Sequence, residues 1–213
     1  MTITKFGQCC LLIEINGKRV LTDPGRFSRE QDELMDLDLI LITHEHADHL
    51  HAESLQAILK NNPEAIVVTN SGVGEVLAKL EIEYTLLEDK ESAELAGLYI
   101  EAYDGQHVEI FADYGQVQNT GYFVAEELFC PGDAYTNPEK EVPVLALPVS
   151  GPWCSSAEAM AYAIDINPGK AFPVHDYVLN EEGTSLIHGM FETILKEQDV
   201  EFISLKNNET KDF

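Results

Sequence analysis

Short apolar runs separated by turn signals dominate the start of the chain. "TITKF", "CCLLIEI" and "KRVLTD" have the pattern of strands, and Asn16–Gly17 between the second and third predicts a two-residue hairpin. The hairpin closes at Asp23-Pro24-Gly25, where proline and glycine stop the strand. A polar stretch with helical character follows. Leu37–Ile42 is then a continuous apolar run, as expected of a buried strand. "AESLQAILKN" predicts a helix, "AIVVT" a strand and "SGVGEVLAKL" a helix. The middle is richer in strands, with "GLYIEAY", "HVEIFAD" and "TGYFVAEELFC". Alternation returns in "VPVLALPV" (strand), "SSAEAMAYAIDI" (helix), "KAFPV" (strand), "GTSLIHGMFETILKE" (helix) and "VEFISL" (strand), and "KNNETKDF" is expected to fray. No Pro/Gly linker or charge-block boundary interrupts this order. The expectation is a single α/β domain over residues 1–213.

Composition narrows the partners. A hydrophobic content of 45% in 213 residues supports one sizeable core. The 38 acidic and 13 basic residues give a net charge of -25, which opposes a nucleic-acid partner. No apolar run is long enough for a membrane span, and "MTITKFGQCC" lacks the features of a signal segment. Cys9, Cys10, Cys130 and Cys154 form no C-x-x-C motif, so free buried thiols in a reducing cytoplasm are expected.

Directly after the Leu37–Ile42 run comes an unusual concentration of imidazoles, with four of the seven histidines inside residues 44–51. Crowded imidazoles at a strand terminus need a cation between them to offset desolvation and mutual repulsion. His44, His46, Asp48 and His49 spell H-x-H-x-D-H. At a strand end, residues two apart share a side, so His44 and His46 can share one ion. A turn after them lets Asp48 and His49 face a second position. Three more candidates sit at predicted strand termini: His107 just before an apolar run, Asp133 where a strand breaks at Pro131 and Gly132, and His175 directly after "KAFPV". Each alone is ordinarily a capping or surface group, but together with the cluster they make seven ligands, enough for two adjacent ions with room for water. Asp133 is the natural bridge, because a carboxylate offers two oxygens. Asp23 is either a turn cap or a support beside the site. Glu45 and His188 are expected in solvent, and His51 on the rim. Tyr135 and Tyr177, each two positions beyond a candidate ligand, are candidate rim residues.

"THEHADH", Thr43–His49, resembles the signature of the metallo-β-lactamase superfamily. "GQH", "PGD" and "PVH" resemble its remaining metal motifs in their usual order. The opening "LLIEINGKRVLTDPG" is similar to the branch of small metal-dependent hydrolases that includes the lactonase of ascorbate phosphate. The resemblance implies a four-layer αββα sandwich with the metals at one edge between the sheets, and it brings the Pro148–Cys154 segment close to that edge, where Ser150 and Trp153 would line the pocket. It implies that His44, His46 and His107 hold one ion and Asp48, His49 and His175 the other, with Asp133 between them and Asp23 in support. Relatives with a di-iron redox centre carry glutamate where this chain has His46, which disfavours a redox role.

The chemistry expected is metal-dependent hydrolysis with two divalent ions, zinc first and manganese permitted by the carboxylates. A hydroxide bridging the ions attacks a small ester or lactone, and Asp48 orients it and accepts its proton. No G-x-S-x-G elbow offers a serine nucleophile. Small-molecule phosphodiester and thioester hydrolysis are the alternatives. A metal-stabilised domain without turnover is a different class, disfavoured because structural zinc sites are closed four-ligand sites.

Overall fold

The computed structural model describes residues 1–213. Strand β4 (Leu39–Ile42) shows how the layers arise, since its alternate residues serve two cores. Leu39 and Leu41 face a cluster shared by both sheets, whereas Ile40 and Ile42 face a cluster shared with helices. Period-two alternation in a strand that is apolar throughout requires cover on both faces.

The first sheet comprises β1 (Thr2–Gly7), β2 (Cys10–Ile15), β3 (Lys18–Thr22), β4, β5 (Ile66–Thr69) and β6 (Thr85–Leu86). The second comprises β7 (Ser92–Leu95), β8 (Leu98–Gln106), β9 (Gln118–Val124), β10 (Leu128–Cys130), β11 (Val144–Pro148), β12 (Lys170–Val174) and β13 (Glu201–Phe202). A last strand, β14 (Glu209–Asp212), returns to the first sheet. The orders are β14-β1-β2-β3-β4-β5-β6 and β13-β12-β11-β10-β9-β8-β7. In each sheet an antiparallel meander adjoins a parallel half, the change falling at β3/β4 in one and β10/β11 in the other. Helices α1 (Ala52–Asn61) and α2 (Ser71–Lys79) cover the first sheet through Leu55, Ile58, Val73 and Leu77. Helices α3 (Ser156–Ile166) and α4 (Glu181–Lys196) cover the second through Ala159, Ala163, Phe191 and Leu195. Between the sheets lie Ile13, Leu41, Tyr122, Phe172 and their neighbours. This is the αββα sandwich that the sequence motifs implied.

Several local expectations are corrected. The polar stretch before β4 forms only a short 3-10 turn, Glu30–Glu33. Gln31 turns its side chain inward to Gly25 O and Ser28 O, and Asp36 at φ 59° ends any helical path. "HVEIFAD" leaves the sheet after Gln106. The His107 amide still reaches Val117 O, the Val108 amide reaches Asp133 O, and the segment between then loops out. "TGYFVAEELFC" is two strands broken at Ala125 and Glu126, both at positive φ. "VEFISL" pairs only over Glu201–Phe202. The tail does not fray: Glu209–Asp212 pairs antiparallel with Thr2–Lys5, and Lys211 Nζ donates to Ser204 O.

His188, expected in solvent, is buried. Its Nε2 meets Asp176 Oδ2 at 2.9 Å and its Nδ1 meets Ser204 Oγ at 2.8 Å. Asp176 also receives the fully buried Lys5, whose Nζ lies 2.5 Å from Oδ1 and donates to Pro173 O. Burial acts to lower the Lys5 pKa, and the Asp176 carboxylate opposes this. The network fastens the β12 end, and with it His175, to β1 and α4.

Candidate metal centre

Strand β4 stops at Ile42, so the H-x-H-x-D-H segment lies wholly beyond it. A turn, and not strand alternation, gathers these side chains: the amides of His49 and Leu50 both donate to His46 O at 2.8 Å. Two steric locks set this turn. A methyl group on Gly25 would lie 1.8 Å from Asp48 O, so only glycine lets the loop after β3 pass so close. The loop is also tied by Arg26 N–H donating to Ala47 O and His51 N–H donating to Pro24 O. On the other sheet, Gly132 holds φ 68° and passes so close to Asn119 Oδ1 and Thr43 that a side chain could not fit. The next amide, of Asp133, donates to Asn119 Oδ1 at 2.9 Å and aims that carboxylate between the sheets.

The seven candidate residues meet at one edge. His44, His46 and His107 form one group whose ligand atoms lie within 4.8 Å of one another, and Asp48, His49, Asp133 and His175 form a second. Asp133 touches both. Its Oδ2 lies 3.3 Å from His107 Nε2, 3.9 Å from His44 Nε2 and 2.9 Å from His175 Nε2, while Oδ1 lies 3.1 Å from His49 Nε2.

The outward ring nitrogens are anchored, which fixes the inward ones. His49 Nδ1 donates to Asp23 Oδ2 at 2.8 Å, His107 Nδ1 to Val108 O at 2.6 Å and His175 Nδ1 to Ser150 O at 2.5 Å. Thr43 Oγ1 donates to Asp23 Oδ2, leaving a lone pair for His44 Nδ1 at 3.1 Å. A neutral imidazole that donates from Nδ1 presents a bare Nε2, the tautomer an ion requires. His44 Nε2, His49 Nε2 and Asp133 Oδ1 are all buried without a hydrogen-bond partner. Buried orphans of this kind carry a desolvation cost that a bound cation would remove. The donor set therefore fits two divalent ions, with five imidazoles and two carboxylates.

Without ions, protons take their place. Burial lowers the His44 pKa well below the ordinary value, and the charge of His49 acts the same way. Burial also acts to lower His49 and His175 but is outweighed by neighbouring carboxylates, Asp133 first. His49 ends well above the ordinary value, and His175 is pushed up to about 9. Burial acts to raise Asp133 and Asp48, yet the imidazoles around them hold both carboxyls below the usual range.

The remaining expectations fall out individually. Asp23 supports the site: besides His49 it receives the Thr43 amide at Oδ1, 2.8 Å away. Trp153 Nε1 donates to Asp133 Oδ2 at 2.9 Å, and its indole packs edge-on against His107 and His175. Ser150 takes part through its carbonyl and not its hydroxyl. Tyr135 packs on Trp153, while Tyr177 is exposed and stacks on Phe27. His51 is not a ligand. It caps α1, accepting from Ser54 N, and meets Arg29 and Glu53. Glu45 is half-buried and points toward Gly72 at the start of α2, away from the cluster. All four cysteines are free and buried, and burial foremost pushes the Cys9 thiol well up, so beside Asp23 and His49 it is an uncharged neighbour.

One residue at the centre carried no signal in the sequence. Gln8 lies in the β1–β2 turn at φ 54°, and its Nε2 donates to Asp48 Oδ2 at 2.9 Å and sits 2.9 Å from His175 Nε2. Its Oε1 is buried and unpartnered.

The chain is similar to known proteins. The family model of the Beta-lactamase superfamily domain matches residues 2–175. Protein Rv0786c of Mycobacterium tuberculosis is 32% identical over 194 residues, covering 89% of this chain and 90% of that one. A UPF0173 metal-dependent hydrolase of Pyrococcus horikoshii is 25% identical over 193 residues, covering 82% and 84% respectively. Among solved structures, Igni18, a metallo hydrolase from Ignicoccus hospitalis, superposes with a TM-score of 0.76 at 18% identity, covering 100% of this chain and 98% of its own. At that identity the likeness speaks for the fold. None of these relatives carries a lactonase name, so the similarity to ascorbate-phosphate lactonases stays with the opening motif alone.

Proposed function

The chain belongs to the β-lactamase superfamily, and from that premise we propose that it is a metal-dependent hydrolase of small carboxylic esters or lactones. One observation carries this reading: two ligand groups share a buried carboxylate, Asp133, and His44 Nε2, His49 Nε2 and Asp133 Oδ1 between them lack partners. His44, His46 and His107 would hold one divalent ion, and Asp48, His49 and His175 the other, with Asp133 between them. Five imidazole nitrogens favour zinc, and the two carboxylates admit manganese. When bound, such ions polarise a carbonyl oxygen and lower the pKa of coordinated water to about 7.

The chain's own groups do the rest. Asp48 accepts the nucleophile's proton at a carboxylate oxygen, and the Gln8 amide orients that carboxylate by donating to Oδ2. Asp23 fixes the ring of His49, and Trp153 holds the Asp133 oxygen while excluding water from that side. Purified protein loaded with zinc or manganese should be offered lactones, sugar-acid phosphates, simple esters, thioesters and small phosphodiesters. Turnover of an ester or lactone, lost on chelation and restored by either metal, is the result expected. Preference for a phosphodiester would replace the substrate class, and a doubly loaded protein that turns over none of them would refute the hydrolase.

A further inference from the structure

Cations are scarce in this chain. It has three arginines, two of which, Arg26 and Arg29, lie on the loop after β3. That loop is locked to the metal-binding turn, since the Arg26 amide donates to the carbonyl of Ala47, between His46 and Asp48. Arg19 pairs with Glu14, and Arg29 pairs with Asp32 and meets His51. Arg26 is exposed and has no carboxylate within 4.0 Å, although acidic residues number 38.

Its guanidinium lies over the ring of Phe27, 5.2 Å from the centroid. Phe27 in turn stacks on Tyr177 at 5.3 Å, two positions beyond His175. Tyr177 packs so closely on Gly7, next to Gln8, that a methyl there would come within 2.7 Å of its ring. The aromatic pair thus ties the loop after β3 to the loop after β12, on the side of the centre formed by Asp48, His49 and His175. Tyr177 and Val178 are left largely in solvent, 40% and 61% exposed.

We propose that the substrate carries an oxyanion, a carboxylate or a phosphate, remote from the bond that breaks, and that Arg26 receives it against the apolar wall of Phe27 and Tyr177. This rests on the hydrolase reading for the word substrate, but the binding site stands on Arg26 itself. A field of net charge -25 disfavours the approach of an anion. A guanidinium without a carboxylate partner, on the loop tied to the metal-binding turn, locally reverses that sign. It offers two parallel N–H groups to an oxyanion. The stack supplies what a lone surface arginine lacks, a fixed position relative to the metal-binding turn.

The test is calorimetric binding to zinc-loaded protein of two probes that differ in one charge: glutaramate, an amide with a terminal carboxylate, and the neutral diamide glutaramide. Glutaramate should bind about tenfold more tightly, equivalent to about 1.4 kcal/mol. In Arg26→Gln that ratio should fall to near unity, and Arg26→Lys should retain part of it, with zinc content and circular dichroism unchanged in both. N-acetylphosphoethanolamine in place of glutaramate tells which oxyanion is held, by which of the two loses more affinity in Arg26→Gln. Equal binding of charged and neutral probes overturns the proposal, as does a glutaramate affinity weaker than about 10 mM. So does a preference that survives Arg26→Gln, because the ions alone would then hold the anion. A glutaramate preference that depends on Arg26, in a protein that hydrolyses nothing on the ester panel, would count against the hydrolase and leave this site standing.

Discussion

Asp23→Asn isolates the part of the centre that touches no ion. Asp23 Oδ2 accepts from His49 Nδ1 at 2.8 Å and from Thr43 Oγ1 at 2.9 Å, and Oδ1 accepts the Thr43 amide at 2.8 Å. Asparagine preserves the shape but has only one acceptor oxygen. If that oxygen stays with the buried Thr43 amide, the NH2 group faces His49 Nδ1 and stabilises the tautomer whose Nε2 carries the proton. That nitrogen then cannot ligate. Hydrogen bonds to a charged group contribute about 1.5–3 kcal/mol. Loss of an outer partner to a metal-binding histidine typically lowers affinity about 10- to 100-fold. The two ranges agree, so the ion on the His49 side should weaken by one to two orders of magnitude. Competition with a chromophoric zinc chelator measures this, and only one of two ions should be lost. Urea unfolding of the metal-free variant should move by less than the unfolding of the loaded one. An Asp23→Asn protein that binds both ions as tightly as the parent would refute the tautomer argument.

Asp48→Asn should keep the fold but lose at least about 100-fold in turnover of any ester found on the panel, since the amide cannot accept a proton; a near-native rate with both ions bound would remove Asp48 from that role. Zinc loading at pH 7 should release about two protons, because His49 and His175 carry them in the metal-free chain. With His175 raised to about 9 and His49 held well above the ordinary value, zinc affinity should climb as pH rises from 7 towards 9; calorimetry in buffers of different ionisation enthalpy counts the protons, and a count of zero contradicts the reading. Lys5→Met should destabilise the protein by about 3–5 kcal/mol, since it leaves Asp176 buried with His188 alone. The double variant Lys5→Met/Asp176→Leu should regain much of that loss in urea titration.

Local concentration explains what could be read from the chain. His44 to His49 announce themselves because so many imidazoles occur together, His107 because it precedes an apolar run, and Asp133 and His175 because each follows one. Such a signal lives within a few residues. Gln8 gives none, since an amide in a hairpin turn looks like any polar turn residue, and only the fold brings it to Asp48, 40 positions away. The Lys5–Asp176 pair spans 171 positions. His188 followed the same rule in reverse: on a polar helix it resembles a solvated residue until Asp176 and Ser204 are seen beneath it. Strand β14 escaped notice because Glu209–Asp212 carries charge or hydroxyl at every position, as befits an edge strand. "HVEIFAD" misled in the opposite direction. Val108 and Ile110 pack against the core between the second sheet and its helices while Phe111 lies in solvent, and the backbone hydrogen bonds of His107 and Val108 turn the chain out of the ladder.

The ligands are divided between the sheets. Asp48, His49 and the others of the turn after β4 belong to the first, and His107, Asp133 and His175 to the second. Each ion would therefore be a rivet across a seam, and the spacing of its holes is set by Tyr122, Phe172 and Leu41 in the interior between the sheets. Close-packed interiors transmit a change of one methylene as a displacement, and a coordination shell tolerates only about 0.5 Å. A conservative substitution deep in that interior is then a mutation of the metal site, though it touches no ligand. Selection on catalysis should weigh on the volume of these residues as much as on the histidines, so that drift in one sheet's lining must be answered by a compensating change in the other's.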